Sequence, residues 1–284
     1  MAYRKLTKRQ HKNRQRILAW LNNEEFTENA RAKPAVPKLS VGEVLEFYIP
    51  PDVTGSAQFF TPAEMSEALL GVMGIPFYDD NISILDPCAG IGHLLWPLSR
   101  DTSGIVAYEI EQECVKIGQR LFPKIEWHWE IPFDHLDQIE GVFDFVVMNP
   151  PFNVTRGMAP GWEMCSGRCT KSEHVFLELA VRACKPGGQI GVIAPYNFCD
   201  RFPRALRDWL GSRVILECDM GQLPGKFEMS SITVHGYIFR KHESEEQSEY
   251  MTDGEEWGGP TMAGVIPKED LEEVDTESVQ LSFL

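Results

Sequence analysis

At 284 residues with 43% apolar content, the chain can bury a large core, yet no apolar run approaches the roughly 20 residues of a membrane-spanning helix. The net charge of −15 excludes a surface that is basic throughout, but Arg4, Lys5, Lys8, Arg9, Lys12, Arg14 and Arg16 all precede the first acid, Glu24. Such asymmetry permits a local phosphate contact on an acidic protein. The seven cysteines are odd in number and scattered, which points to reduced thiols in a cytoplasm-like compartment.

In chain order, residues 3–22 read either as a basic helix with Ile17, Leu18 and Leu21 on one stripe or as a solvated arm. Pro34 and Pro37 mark a linker, and a short helix is predicted over Val41–Phe47. Thr61 suits an N-cap, with Pro62 at the first helical position and Glu64 completing a capping box. The helix that follows carries Met65, Leu69, Leu70 and Val72 inward. A strand over residues 81–85 then runs into Asp86-Pro87-Cys88-Ala89-Gly90-Ile91-Gly92, with a helix expected from His93 to Ser99.

Strand, glycine turn and helix open a nucleotide-binding α/β unit. Gly90 and Gly92 allow a tight turn and close approach of backbone to ligand. Leu95 stands where a dinucleotide fingerprint wants its third glycine, and Asp86 would repel a pyrophosphate, so a partly cationic ligand fits better than NAD. The next strand, residues 104–108, ends at Glu109, placed to accept from both ribose hydroxyls. A helix over Gln112–Leu121 and a strand over residues 125–130 follow. Glu130, ahead of Asp134, is the candidate acceptor for an adenine amine.

The run Phe143-Asp-Phe-Val-Val-Met-Asn-Pro-Pro-Phe152 organises the rest of the chain. Its apolar half reads as a strand buried on both faces. Pro150 biases Asn149 towards an extended backbone, and Pro150 and Pro151 cannot continue a ladder. A carboxamide is thereby held at the carboxyl end of a central strand, the edge where open α/β sheets bind ligands. The Asn149 side chain and the Pro150 carbonyl can accept both hydrogens of a planar –NH2 group, with Phe152 as a flat face. A strand closed by a Pro-Pro turn over a buried Phe accounts for the same residues.

Residues 153–171 are irregular; Cys165 and Cys169 with His174 lack a fourth ligand at conventional spacing, so no metal is expected. A helix over Ser172–Cys184 ends at Lys185-Pro-Gly-Gly, followed by a buried strand over residues 189–195. A helix over residues 201–210, a strand over residues 214–218 and a last strand over residues 231–240 complete the pattern. The remaining tail is acidic with few periodic apolar residues.

These motifs, in this order, resemble the gamma group of S-adenosylmethionine-dependent DNA adenine methyltransferases, the amino-methyltransferases that include type I modification subunits. The resemblance spans residues 58–241 and rests on Gln58–Pro62, Asp86–Gly92, Glu109, Asn149–Phe152, Ser172–Ala180, Gly187–Pro195 and a late Phe227 before the final strand. It implies a Rossmann-like α/β fold, a mostly parallel twisted sheet with helices on both faces and an antiparallel edge near residues 231–240. It implies S-adenosyl-L-methionine as cofactor, with Phe60, Thr61, Asp86, Gly90 and Gly92 around its methionine end, Glu109 at its ribose and Glu130 at its adenine amine. Asn149, Pro150, Pro151 and Phe152 would grip the target base, with Phe227 on its other face, and the product would be N6-methyladenine in DNA. Residues 1–57 are then a basic helix and linker, 58–241 the catalytic domain, and 242–284 an acidic tail.

No large recognition domain follows the final strand, so target choice would fall to residues 153–171, the basic amino end or a separate specificity partner. The implied location is the cytoplasm of a bacterial or phage-infected cell, with no membrane partner. RNA or a protein glutamine as acceptor keeps the same fold, and a non-catalytic binding or decoy protein is the alternative of another class.

Overall fold

The computed structural model describes residues 6–27, 33–49, 60–76, 81–99, 102, 104–152, 171–225 and 233–243. Seven strands form one sheet: β1 (Ile84–Asp86), β2 (Ile105–Tyr108), β3 (Glu126–His128), β4 (Phe143–Met148), β5 (Cys184–Pro195), β6 (Val214–Gln222) and β7 (Val234–Lys241). Their order is β3-β2-β1-β4-β5-β7-β6. The first five run parallel, and β7 pairs antiparallel with both β5 and β6. The antiparallel strand expected at the edge is therefore one place inside it, and β6 forms the edge. Helices α1 (Lys8–Asn22), α2 (Val41–Phe47), α3 (Ala63–Met73), α4 (Gln112–Leu121), α5 (Leu136–Ile139), α6 (Ser172–Ala183) and α7 (Arg204–Gly211), with short 3-10 helices at Pro132–His135 and Cys199–Arg201, complete the described elements.

The core sits on the central strands. Val146, Val147 and Met148 are fully buried in succession, as are Val192, Ile193 and Ala194. Side chains of a strand alternate between faces, so unbroken burial means both faces are covered. Gly191 marks the closest approach of α3: a Cβ there would lie 2.4 Å from Met73 Sδ.

The amino-terminal helix is docked rather than free. Thr7 and Gln10 form a capping box, and Asn23 closes the helix in the left-handed region at φ 56°. Ile17 and Trp20 enter the core, Arg14 Nη2 donates to both carboxylate oxygens of Glu113 at 2.7 Å, and Arg120 lies 4.2 Å over the Trp20 ring. Lys8, Arg9 and Lys12 remain exposed.

Three local expectations change. Residues 93–99 form consecutive turns in place of a helix, with bonds such as Leu98 N–H to the Leu95 carbonyl at 2.9 Å. Pro97 explains it, because it lacks a donor and disfavours the helical region at Trp96. The cap of α3 is Pro62, which has no side-chain group to bond, so Thr61 lies one residue before the cap and its hydroxyl accepts from Asn149. Strand β5 starts at Cys184, so Lys185-Pro-Gly-Gly lies within it; the register against β4 shifts between Phe143 and Phe145, and Gly187 takes φ 75°.

Candidate active site

The carboxyl ends of β1, β2 and β4 meet at one edge of the sheet, and an open cleft of about 790 Å³ lies there. Its lining includes Phe60, Thr61, Asp86, Gly90, Glu109 and Asn149, with Pro150 and Pro151. Residues as far apart in the chain as Phe60 and Pro151 are gathered because parallel βαβ units deliver every strand end to the same edge.

The turn after β1 is held by its own acids. An Asp86 carboxylate oxygen accepts from the Cys88 N–H at 3.0 Å, and Glu109 accepts from Gly90 N–H at 2.9 Å and Glu111 N–H at 2.8 Å. The Ala89 N–H donates to the Tyr108 carbonyl at 3.0 Å, tying the turn to β2. Gly90 (φ 58°) and Gly92 (φ 94°) occupy the region that side chains avoid. A Cβ on Gly90 would stand 3.0 Å from Phe60 Cε1, and one on Gly92 would stand 2.9 Å from the Phe122 ring.

Both acids are buried, Asp86 at 1% and Glu109 at 5% exposure. Burial pushes Asp86 up to about 7; the Cys88 N–H opposes this and the Glu109 charge adds to it. Glu109 is also raised, with burial outweighing the N–H groups of Glu111, Gly90 and Ile110. Two buried acids facing one cleft suit a ligand that brings positive charge and hydroxyl donors. Ile110, Ile131 and Phe133 supply an apolar slot for a flat ring. The donor set thus fits a sulfonium nucleoside.

At the other end, Asn149 Nδ2 donates to Thr61 Oγ1 at 3.0 Å. The hydroxyl that the sequence assigns to a helix cap orients the carboxamide instead. The Ser172 hydroxyl donates to the Pro151 carbonyl and fixes the Pro-Pro turn onto α6.

Not every candidate reaches the cleft. The Glu130 carboxylate pairs with His135 and does not line it; β3 ends at His128, and the turn into the short 3-10 helix Pro132–His135 brings that ring to Glu130. Asp134 is exposed and also lies off the lining. Gly92 shapes the turn without lining the cleft, and Phe152 is packed into the core at 5% exposure. Phe227, Cys165 and Cys169 lie outside the described residues, and His174 packs edge-on to Phe202. Sequence reading missed His93, Phe133 and Phe176, which line the cleft; Phe133 and Phe176 meet at 5.0 Å. Only their hydrophobicity or position after the glycine turn signalled them.

Residues 104–218 match the family model of the Eco57I restriction-modification methylase. No curated protein sequence matches the chain. Among solved structures, it is similar to a modification subunit of a putative type I restriction enzyme from Vibrio vulnificus YJ016 (16% identity, 76% of this chain and 55% of that one, TM-score 0.56). It is also similar to the type I restriction-modification methyltransferase subunit from Streptococcus thermophilus (19% identity, 64% and 45% covered, TM-score 0.53). A third likeness is to a putative class I S-adenosylmethionine-dependent methyltransferase from Listeria monocytogenes (17% identity, 72% and 69% covered, TM-score 0.52). The chain spans about half the length of the two modification subunits. The molecule therefore has the class I methyltransferase fold, and its residues 104–218 match the Eco57I restriction-modification methylase model.

Proposed function

We propose that the cleft binds S-adenosyl-L-methionine and that the chain methylates the exocyclic N6 amine of adenine in DNA. The observation that carries this reading is the Asn149 carboxamide, anchored through its nitrogen to Thr61 in the same cleft as Asp86 and Glu109. The amide oxygen, the end of the carboxamide not bonded to Thr61, is the acceptor proposed for an incoming amine.

When bound, the cofactor supplies an electrophilic methyl group on a sulfonium. Asp86 and Glu109 would hold its charged end and its ribose, Phe60 and Gly90 would close on it, and Ile110, Ile131 and Phe133 would take its adenine ring. Glu130, expected at the adenine amine, is given no contact in this reading; its carboxylate pairs with His135.

The acceptor amine is a weak nucleophile because its lone pair is delocalised into the ring. Hydrogen bonds to the Asn149 oxygen and the Pro150 carbonyl hold it in line and favour charge developing on nitrogen, which is catalysis by positioning and electrostatics. In duplex DNA the base must first be extruded, at a cost of a few kcal/mol. Stacking between aromatic faces offsets that by about 1–3 kcal/mol per base. Phe227 is proposed as one face. Phe152, packed beneath the turn, serves as another only by turning outward. The exposed Lys8, Arg9 and Lys12 are the proposed phosphate contacts. The restriction-modification family match supports DNA as acceptor, and the relatives from type I systems support a separate specificity partner.

Incubation with tritiated cofactor and separate DNA, RNA and protein pools tests the reading. Label in DNA alone is expected. Label in RNA or protein reassigns the acceptor, and cofactor binding with no transfer to any pool makes the chain a binding protein.

A further inference from the structure

His93 is a polar cleft residue for which neither the family resemblance nor the reaction provides a role. Its Nε2 lies 2.8 Å from the Leu45 carbonyl, which can only accept, so Nε2 carries the hydrogen. In a neutral ring Nδ1 is then a bare acceptor. That atom is buried and has no hydrogen-bond partner among the described residues, although the residue as a whole is partly exposed and lines the cleft. A buried acceptor left unmatched is costly, and native structures rarely keep one without a use. The ring is kept neutral: burial pulls His93 down to about 4 despite the opposing Leu45 bond.

Contacts locate the ring. It stacks on Phe60 at 4.5 Å and 18°, and Phe60 is the side chain that closes on Gly90. The chain neighbour of Phe60, Thr61, holds Asn149. His93 is therefore connected to the methyl-transfer side of the cleft, whereas Glu109 is bonded to the backbone at Gly90 and Glu111. With the ribose hydroxyls assigned to Glu109, the donor on this side is the ammonium of the amino-acid end, whose charge Asp86 also faces.

We propose that His93 Nδ1 is a fixed neutral acceptor for the α-ammonium of the cofactor, so that His93 selects ligands that carry the amino-acid moiety. The inference rests on the cofactor reading above. A protonated imidazole would repel both the ammonium and the sulfonium, whereas a neutral one with its hydrogen committed to Leu45 offers only a lone pair.

The test is calorimetric binding of S-adenosylhomocysteine and of 5′-methylthioadenosine, which lacks the amino-acid end, to the full chain and two variants. His93→Phe retains a ring to stack on Phe60 but has no acceptor, and His93→Asn places an amide oxygen near the position of Nδ1. A charge-assisted hydrogen bond implies that His93→Phe weakens S-adenosylhomocysteine by about tenfold or more and methylthioadenosine by less than about twofold. His93→Asn is expected to recover part of the loss for the first ligand. Equal losses for both ligands in His93→Phe would overturn the proposal and leave His93 as packing. Wild-type protein that binds neither ligand would overturn the cofactor reading itself, a result distinct from equal losses.

Discussion

Thr61→Val probes the link between the helix entry and the proposed catalytic amide. The substitution conserves volume and removes one hydroxyl, whose described bond is the 3.0 Å contact from Asn149 Nδ2. Helix α3 is capped by Pro62 with no side-chain bond, so little helix stability is lost. A net hydrogen bond is worth about 0.5–1.5 kcal/mol, or roughly twofold to twelvefold in rate if it acts on the transition state. Should the unanchored amide drift by about 1 Å, the loss would approach a hundredfold. Single-turnover methylation at saturating cofactor and DNA measures this step, and calorimetry measures cofactor affinity on the same preparation. The expected result is a lower rate with a smaller change in affinity, and Thr61→Ser close to wild type. A Thr61→Val protein that loses affinity but keeps its rate would refute the reasoning and make the hydroxyl a cofactor ligand.

Glu109→Ala removes the acceptor for Gly90 and Glu111 as well as the proposed ribose ligand; calorimetry should show a loss on the order of 2–3 kcal/mol, about 30-fold to 150-fold in affinity. Gly92→Ala combines φ 94° with a Cβ 2.9 Å from the Phe122 ring, and denaturant unfolding should show a loss of about 2–4 kcal/mol. Reversing the exposed Lys8, Arg9 and Lys12 to Glu should leave the melting temperature nearly unchanged, since early-helix acids suit the macrodipole, yet flatten the salt dependence of DNA binding by about 0.9 per lost phosphate contact. Asp86, pushed up to about 7, should make cofactor affinity rise with pH through neutrality as the carboxyl ionises, and Asp86→Asn should flatten that profile in calorimetry at several pH values. The same shift has a sign for stability: the folded state holds this proton from the ordinary value of 3.8 up to about 7, so the contribution of Asp86 falls as pH rises across that window.

What was legible followed from local patterns. The bounds of β4, α2 and α4 agree with those expected, because a doubly buried strand and short amphipathic helices are written in consecutive residues. Asp86, Glu109 and Asn149 share the cleft because strand ends in a parallel sheet share an edge, and that rule needs no contact information. The turns at 93–99 are signalled by Pro97, against the helix that the preceding strand and glycine turn lead one to expect. The diversion of Thr61 to Asn149, the Glu130–His135 pair and the acceptor role of Leu45 for His93 depend on where side chains meet in space. The docking of α1 likewise depends on Glu113, 99 positions from Arg14, and nothing in the helix itself distinguishes a docked helix from a solvated one.

The central claim is tested most directly by digesting DNA that has been incubated with the protein and cofactor, and identifying the methylated nucleoside by mass spectrometry for wild type and Asn149→Ala. The account predicts N6-methyldeoxyadenosine from wild type and none above background from Asn149→Ala, whose cofactor affinity stays near wild type. A methyl group on another base, or undiminished N6-methyldeoxyadenosine from the variant, would contradict it.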